Sequence, residues 1–202
     1  MNKFIIYPNQ YLKQNIQGYY YDDYHGGGNY KIDGTIENII TTFKNDIPPY
    51  KNKETLQLAI NRLITILKQD LSLFQKNDLT VCIVPRAKAE NTYKENQLLF
   101  KKVVQYIISE LKFKDGSNYI VRHTNTRTTH RDRAGYGGDG DRPYPGITKK
   151  TCRISKEVNG KNILLIDDLY TKTINIDEDA IQALLDYGAK SVIFYAVGKT
   201  VH

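Results

Sequence analysis

The chain has 202 residues, enough for one sizeable hydrophobic core and short for two. Its 29 Lys and Arg against 22 Asp and Glu leave a formal charge of +7, which favours anionic partners and leaves phosphorylated metabolites and nucleic acid both open. Cys82 and Cys152 have no CxxC spacing and no nearby histidine, so nothing points to a zinc site and free thiols are expected.

No apolar window reaches the length of a membrane-spanning helix, and the apolar run in the opening MNKFIIYPNQ is too short for a signal peptide. A soluble, cytoplasmic protein with no membrane partner is the expectation.

In chain order, a short strand is expected at Phe4 to Tyr7, inside a segment 1–31 rich in Tyr, Gly and Asn that otherwise reads as irregular. His25 beside Asp22 and Asp23 has metal-ligand chemistry, and a solvated loop is the plainer reading. Ile36, Ile39, Ile40 and Phe43 recur at helical spacing, and Pro48-Pro49 closes that helix. A second helix carries the stripe Leu56, Ala59, Ile60, Leu63, Ile64, Leu67 and Leu71, which is core. Residues 1–76 therefore flank the core rather than form a domain of their own.

From residue 77 the pattern becomes α/β. Thr80-Val81-Cys82-Ile83-Val84 reads as a strand covered on both faces, and Pro85 ends it. A helix from about Tyr93 to Leu111 and a strand at Tyr119 to Val121 complete a βαβ unit. A turn at Asn159-Gly160-Lys161, a strand from Asn162 to Ile166, a helix from Asn175 to Tyr187 and a strand from Ser191 to Val197 make a second. This alternation predicts a parallel, Rossmann-like sheet flanked by helices, with the site in the loops at the carboxyl ends of the strands.

Between the two units lies a polar, glycine-containing stretch too long for an ordinary connection. Residues 122–156 hold nine Lys and Arg against three Asp. With Tyr136 and Tyr144 among the bases, nucleic acid is a possible partner for this loop.

The candidate site is the end of ILLIDDLYTKTIN, residues 163–175. Neighbouring strand residues point to opposite faces, so Asp167 and Asp168 act together only where the strand opens into its loop. Burying them without partners would cost several kcal/mol per ion. The turn beyond enters a helix, whose N-terminus suits a phosphate, with Thr171, Thr173 and Asn175 as side-chain donors and Lys172 as a cation. Asp177, Glu178 and Asp179 read as an exposed acidic helix start.

Four apolar residues, two acids and a Thr-rich turn into a helix resemble the phosphoribosyl pyrophosphate signature of the type I phosphoribosyltransferases. The helix end Asp186-Tyr187-Gly188-Ala189 before the next strand resembles them as well, so the likeness covers residues 160–200. The family pattern is Asp-Asp-x-x-Thr-Thr-Gly-x-Thr. Asp167 and Asp168 match the acids, Thr171 the first threonine and Asn175 the last, whereas Lys172 and Thr173 depart from it. The missing glycine puts the close backbone approach to phosphate in question.

The resemblance implies a homodimeric, Mg2+-dependent enzyme binding phosphoribosyl pyrophosphate or a related nucleotide. Asp167 and Asp168 would hold the ribose and the metal, and Thr171, Lys172, Thr173, Ile174 and Asn175 the 5-phosphate. By position and charge, Arg86, Ala87 and Lys88 fall where the family places its pyrophosphate loop. Arg127, His130 and Arg131 fall in the flexible loop that closes over the substrate. The acceptor, a base or an amine, is not legible. A nucleotide-sensing or nucleic-acid-binding regulator on the same fold, or a nucleotide-directed effector, stands as the alternative.

Overall fold

The computed structural model describes residues 1–44, 53–75, 77–126 and 146–201. Its strands are β1 (Asn2–Ile6), β2 (Ile16–Tyr24), β3 (Leu79–Ile83), β4 (Lys114–Asp115), β5 (Ile120–Arg122), β6 (Cys152–Ile154), β7 (Asn162–Tyr170) and β8 (Ser191–Thr200). The α-helices are α1 (Ile36–Lys44), α2 (Lys53–Leu71), α3 (Leu99–Glu110) and α4 (Ile176–Asp186).

The continuous apolar runs become the centre of the sheet. Every residue of β3 is buried, and Ile163, Leu164, Leu165 and Ile166 of β7 are 0% exposed. Burial of each such side chain stabilises by roughly 1.5–3 kcal/mol. The sheet order is β1-β2-β8-β7-β3-β4. Neighbours are parallel except for the edge strand β1, which runs antiparallel to β2. Leu164, Ile166 and Tyr195 face α1, α2 and α3. Ile163, Leu165 and Phe194 face α4, Leu12 of the β1–β2 connection, and the β5–β6 ribbon. The α/β class and mostly parallel sheet expected from the alternation are present, in an arrangement compatible with a Rossmann-like fold.

Three local expectations are corrected. The N-terminal segment is not irregular throughout, because Ile16–Tyr24 forms a nine-residue strand paired with β8. Its tyrosines suit a pleated, half-buried surface, and the glycine run starts only after the strand ends. The strand at residues 119–121 does not enter the main sheet. The two-residue β4 takes that place beside β3, and β5 pairs with β6 in a separate ribbon. Finally, α3 starts at Leu99 rather than near Tyr93, the chain before it forming short 3-10 turns at Glu90–Thr92 and Glu95–Leu98.

The sheet also carries a slip in side-chain alternation. Ile166 and Leu169 of β7, three apart, face the same layer, and so do Tyr21 and Tyr24 of β2. On β8, Val197 faces that layer, and a Cβ on Gly198 would point the same way, at Ile40 and Leu169. Register is nonetheless constant on both sides of the slip: Asp167 pairs with Ala196 and Leu169 with Gly198, Tyr20 with Ala196 and Asp22 with Gly198. All three strands therefore turn over together at one height, the height of Asp168.

Helix α4 ends in a Schellman motif. The Gly188 amide donates to the Leu185 carbonyl at 2.9 Å and the Ala189 amide to Leu184 at 3.1 Å, with Gly188 at φ 90°. A Cβ there would lie 2.3 Å from Asn159 Oδ1. Gly188→Ala is expected to destabilise the protein by about 1–2 kcal/mol, read as a lower urea midpoint with an unchanged slope.

Candidate functional site

Strand β7 outruns its neighbour. Ile83 at the end of β3 pairs with Ile166, and the Val84 amide donates to the Ile166 carbonyl at 3.0 Å. From Asp167 onward β7 is paired on the β8 side, and its other edge faces the loop that follows β3. The chain leaves β3 for α3 on one face and leaves β7 for α4 on the opposite face. This is a topological switch point, where open α/β sheets bind ligands. The acids do not follow the end of the strand, as the sequence suggested; they lie within it, and the strand runs on to Tyr170.

Asp168 faces α1, where the Lys44 ammonium lies 3.2 Å from its Oδ1. Burial works to lower the Lys44 pKa, but Asp168 and then Asp167 outweigh it and hold the ammonium above its ordinary value. Asp167 faces α4. Burial, and then the charge of Asp168, push its carboxyl up to about 7. Asp177, 1% exposed, is raised well above its ordinary value by burial and then by Asp167, with which it shares a side-chain hydrogen bond. Glu178, also 1% exposed, accepts from the Tyr170 hydroxyl at 2.9 Å, and Asp179 Oδ2 accepts from the Ile147 amide at 2.9 Å.

The acidic first turn of α4 is thus not an exposed helix start. Asp177 and Glu178 are turned inward and take part in the site. The signal was present in the sequence: Asp177 shares a helical face with Ala180, Ile181 and Leu184, all 0% exposed. Lys44 was missed for a parallel reason. It continues the Ile36, Ile40 spacing of α1, so it points along the same face as those buried residues.

The turn after β7 closes through the Ile174 amide, which donates to the Thr171 carbonyl at 2.9 Å. Thr173 has no positive φ; the left-handed residue is Asn175, at φ 65°. The conformation the family assigns to glycine is therefore not used at Thr173, and the strained position falls two residues later on an amide residue that tolerates it. Asn9 of the β1–β2 connection donates to Asn175 Oδ1 at 3.0 Å. Among the expected phosphate ligands, Lys172 and Thr173 are exposed and Asn175 is half-buried. Thr171 is 8% exposed, its hydroxyl 2.7 Å from that of Thr200. The Ile174 side chain is buried in the core, so it offers a ligand only its backbone.

On the β3 side a cleft opens whose lining includes Arg86, Lys88, Tyr93, Phe100, Lys101 and Arg122. Arg86 stacks on the Tyr93 ring at 4.5 Å and donates to the carbonyls of Gln97 at 2.9 Å and Lys44 at 3.1 Å. Arg122 is buried and donates to the carbonyls of Arg86 at 2.7 Å and Gly146 at 2.9 Å. Lys101 is engaged with Glu90 at 2.7 Å. Thr126 grips the Ala87 carbonyl through both its amide and its hydroxyl. The loop bearing Arg86, Ala87 and Lys88 is thereby tied to the base of the long basic segment. Arg127, His130 and Arg131, with Tyr136 and Tyr144, lie outside the described residues.

Among the described residues no three His, Cys, Asp or Glu side chains are grouped to hold a metal alone, those around His25 included. Carboxylate oxygens suit Mg2+, which keeps waters and takes further oxygens from a bound phosphate, and here Asp168 and Asp167 would reach such an ion from opposite faces of the sheet. Cys82 and Cys152 are free and buried, and burial pushes the Cys82 thiol up to about 12. No described helix is long and apolar enough to cross a membrane.

The Asp167–Asp177 pair has a pH signature. A carboxyl whose folded pKa lies above its unfolded value of 3.8 gives stability that is present below that value and lost as pH rises through about 7. Asp177→Asn should flatten the fall in stability between about pH 4 and pH 7, read from urea unfolding at several pH values. Set against known proteins, the chain matches no family model and no curated protein.

Proposed function

We propose that the chain is a phosphoribosyltransferase-like enzyme that binds phosphoribosyl pyrophosphate with Mg2+ across the switch point between β3 and β7. The observation that carries this reading is the pairing of chemistries there. Two carboxylates, Asp167 and Asp168, lie within β7 just past its pairing with β3, and a cleft lined by Arg86, Lys88, Lys101 and Arg122 opens at the end of β3. A sugar bearing a diphosphate needs both: acceptors for its hydroxyls and its metal, and cations for its phosphates.

In this reading Asp167 and Asp168 take the ribose hydroxyls and Mg2+, and the metal, when bound, neutralises pyrophosphate oxygens. The 5-phosphate rests on the 171–175 turn, with the exposed Lys172 supplying charge. Burial, which disfavours the charged form of Asp177, and the Tyr170 hydrogen bond to Glu178 soften the repulsion that three acids at a helix start would exert on a phosphate. The acceptor nitrogen forms a bond to the anomeric carbon as the bond from that carbon to the pyrophosphate oxygen breaks. The electron pair leaves on pyrophosphate, where Arg86 and Lys88 oppose the growing charge, and the acceptor nitrogen gives up its proton to solvent. Arg127, His130 and Arg131 enter this scheme from the sequence alone, as the closing loop. The acceptor is a base or an amine.

Thermal melting with millimolar phosphoribosyl pyrophosphate and Mg2+ tests the proposal. Ligand at a hundred times its Kd adds about 2.7 kcal/mol to the native state, so a rise of several degrees is expected. The Asp167→Asn, Asp168→Asn double variant should show no rise relative to its own unliganded midpoint. A rise that survives both substitutions, or none in the unsubstituted protein, sinks the reading.

A further inference from the structure

Lys44 occupies a singular place. Its ammonium lies 3.2 Å from Asp168 Oδ1, both side chains being about three-quarters shielded, at 27% and 20% exposed. Its carbonyl receives the Arg86 guanidinium at 3.1 Å. One residue at the end of α1 thus touches both Asp168 of β7 and the Arg86 guanidinium that lines the neighbouring cleft. The strand turnover described above keeps Asp168 on the α1 side, with Leu169 beside it on the same layer. Tyr24 of β2 packs on the same layer, and its phenol, raised chiefly by burial, feels the charges of Lys44, Glu37 and Asp168.

We propose that the Lys44 ammonium is a tethered counter-cation that holds Asp168 while the site is empty and yields it to the divalent cation arriving with the sugar diphosphate. The inference rests on the function proposed above and adds a regulatory element to it. A metal on Asp168 and an ammonium 3.2 Å from its Oδ1 repel one another at close range, so the two cations compete for the carboxylate. A metal reaching Asp168 must outcompete a cation that is always present at high local concentration. Once displaced, the ammonium remains on the end of α1 beside Arg86, on the side where the diphosphate would lie. The exchange therefore favours metal and diphosphate arriving together over metal arriving alone.

The test uses the full chain and Mn2+ as probe, followed by its paramagnetic signal, with and without phosphoribosyl pyrophosphate. Lys44→Gln should bind Mn2+ alone about fivefold more tightly, the size expected for losing a partly exposed ion pair. Lys44→Arg, whose forked guanidinium grips a carboxylate more firmly, should bind it more weakly than the unsubstituted protein. The two substitutions push in opposite directions, so either decides if the other fails to fold. With phosphoribosyl pyrophosphate present, the gain from Lys44→Gln should shrink or reverse. Unchanged or weaker Mn2+ binding in Lys44→Gln, or tighter binding in Lys44→Arg, overturns the tethered-cation inference. It leaves the functional reading intact so long as the unsubstituted protein binds the Mn2+ sugar diphosphate and loses it with Asp167→Asn, Asp168→Asn. No Mn2+ binding by the unsubstituted protein, with or without the sugar diphosphate, removes both.

Discussion

Desolvation of carboxylates is the constraint around which the site is organised. Below Asp167 and Asp168 the run Ile163 to Ile166 is apolar and fully covered, and beyond them the first turn of α4 brings two more acids into the interior. An ion in that position costs several kcal/mol unless a charge, a proton or a donor meets it. Each acid is met differently. Asp168 has an ammonium, Asp167 has a side-chain hydrogen bond with Asp177, Glu178 has a phenol, and Asp179 has the backbone amide of Ile147. These partners come from α1, α4, β7 and the 146–147 backbone, so the electrostatic needs of one strand end fix where four separate pieces of chain meet.

The same arrangement sets up a short gradient of charge across the sheet. Acids line the end of β7, guanidinium and ammonium groups surround the end of β3, and Lys44 sits between them. Arg86 and Arg122 each donate to carbonyl oxygens, which orient their guanidinium groups. Cations thus line the cleft at the end of β3, and the acids lie beside it on β7 rather than in its wall. A ligand that carries both a polyol and a phosphate chain matches that polarity, whereas a simple anion uses only half of it.

Much of this was legible in the sequence because apolar runs and periodicities report burial directly. The run Ile163 to Ile166, the start of α4 at Ile176 and the glycine that ends it all fall where the pattern put them. The length of β7 was not legible, since two acids and a hydroxyl-rich stretch look like the close of a strand. What carries the strand onward is pairing with β8, a long-range fact. Tyr19 to Tyr24 were hidden for a similar reason: a strand flanked by glycine and asparagine declares itself only through its partner. Lys44 and Asp177 are harder cases. A lysine ending one helix and an acid starting another satisfy the helix dipole on the surface, and only their phase relative to Ile40 and Ile181 hints that they turn inward.

The turnover shared by β2, β8 and β7 behaves as a line defect running across three strands at the height of the acids. A bulge in one strand could be healed by losing one residue from that strand. Here a single deletion would put the three strands out of step, sending Tyr24, Lys199 or Leu169 to the wrong layer while leaving everything below the line undisturbed. Length is therefore locked in three distant parts of the chain at once, and the reach of β7 beyond β3 can drift by substitution but hardly by insertion or loss.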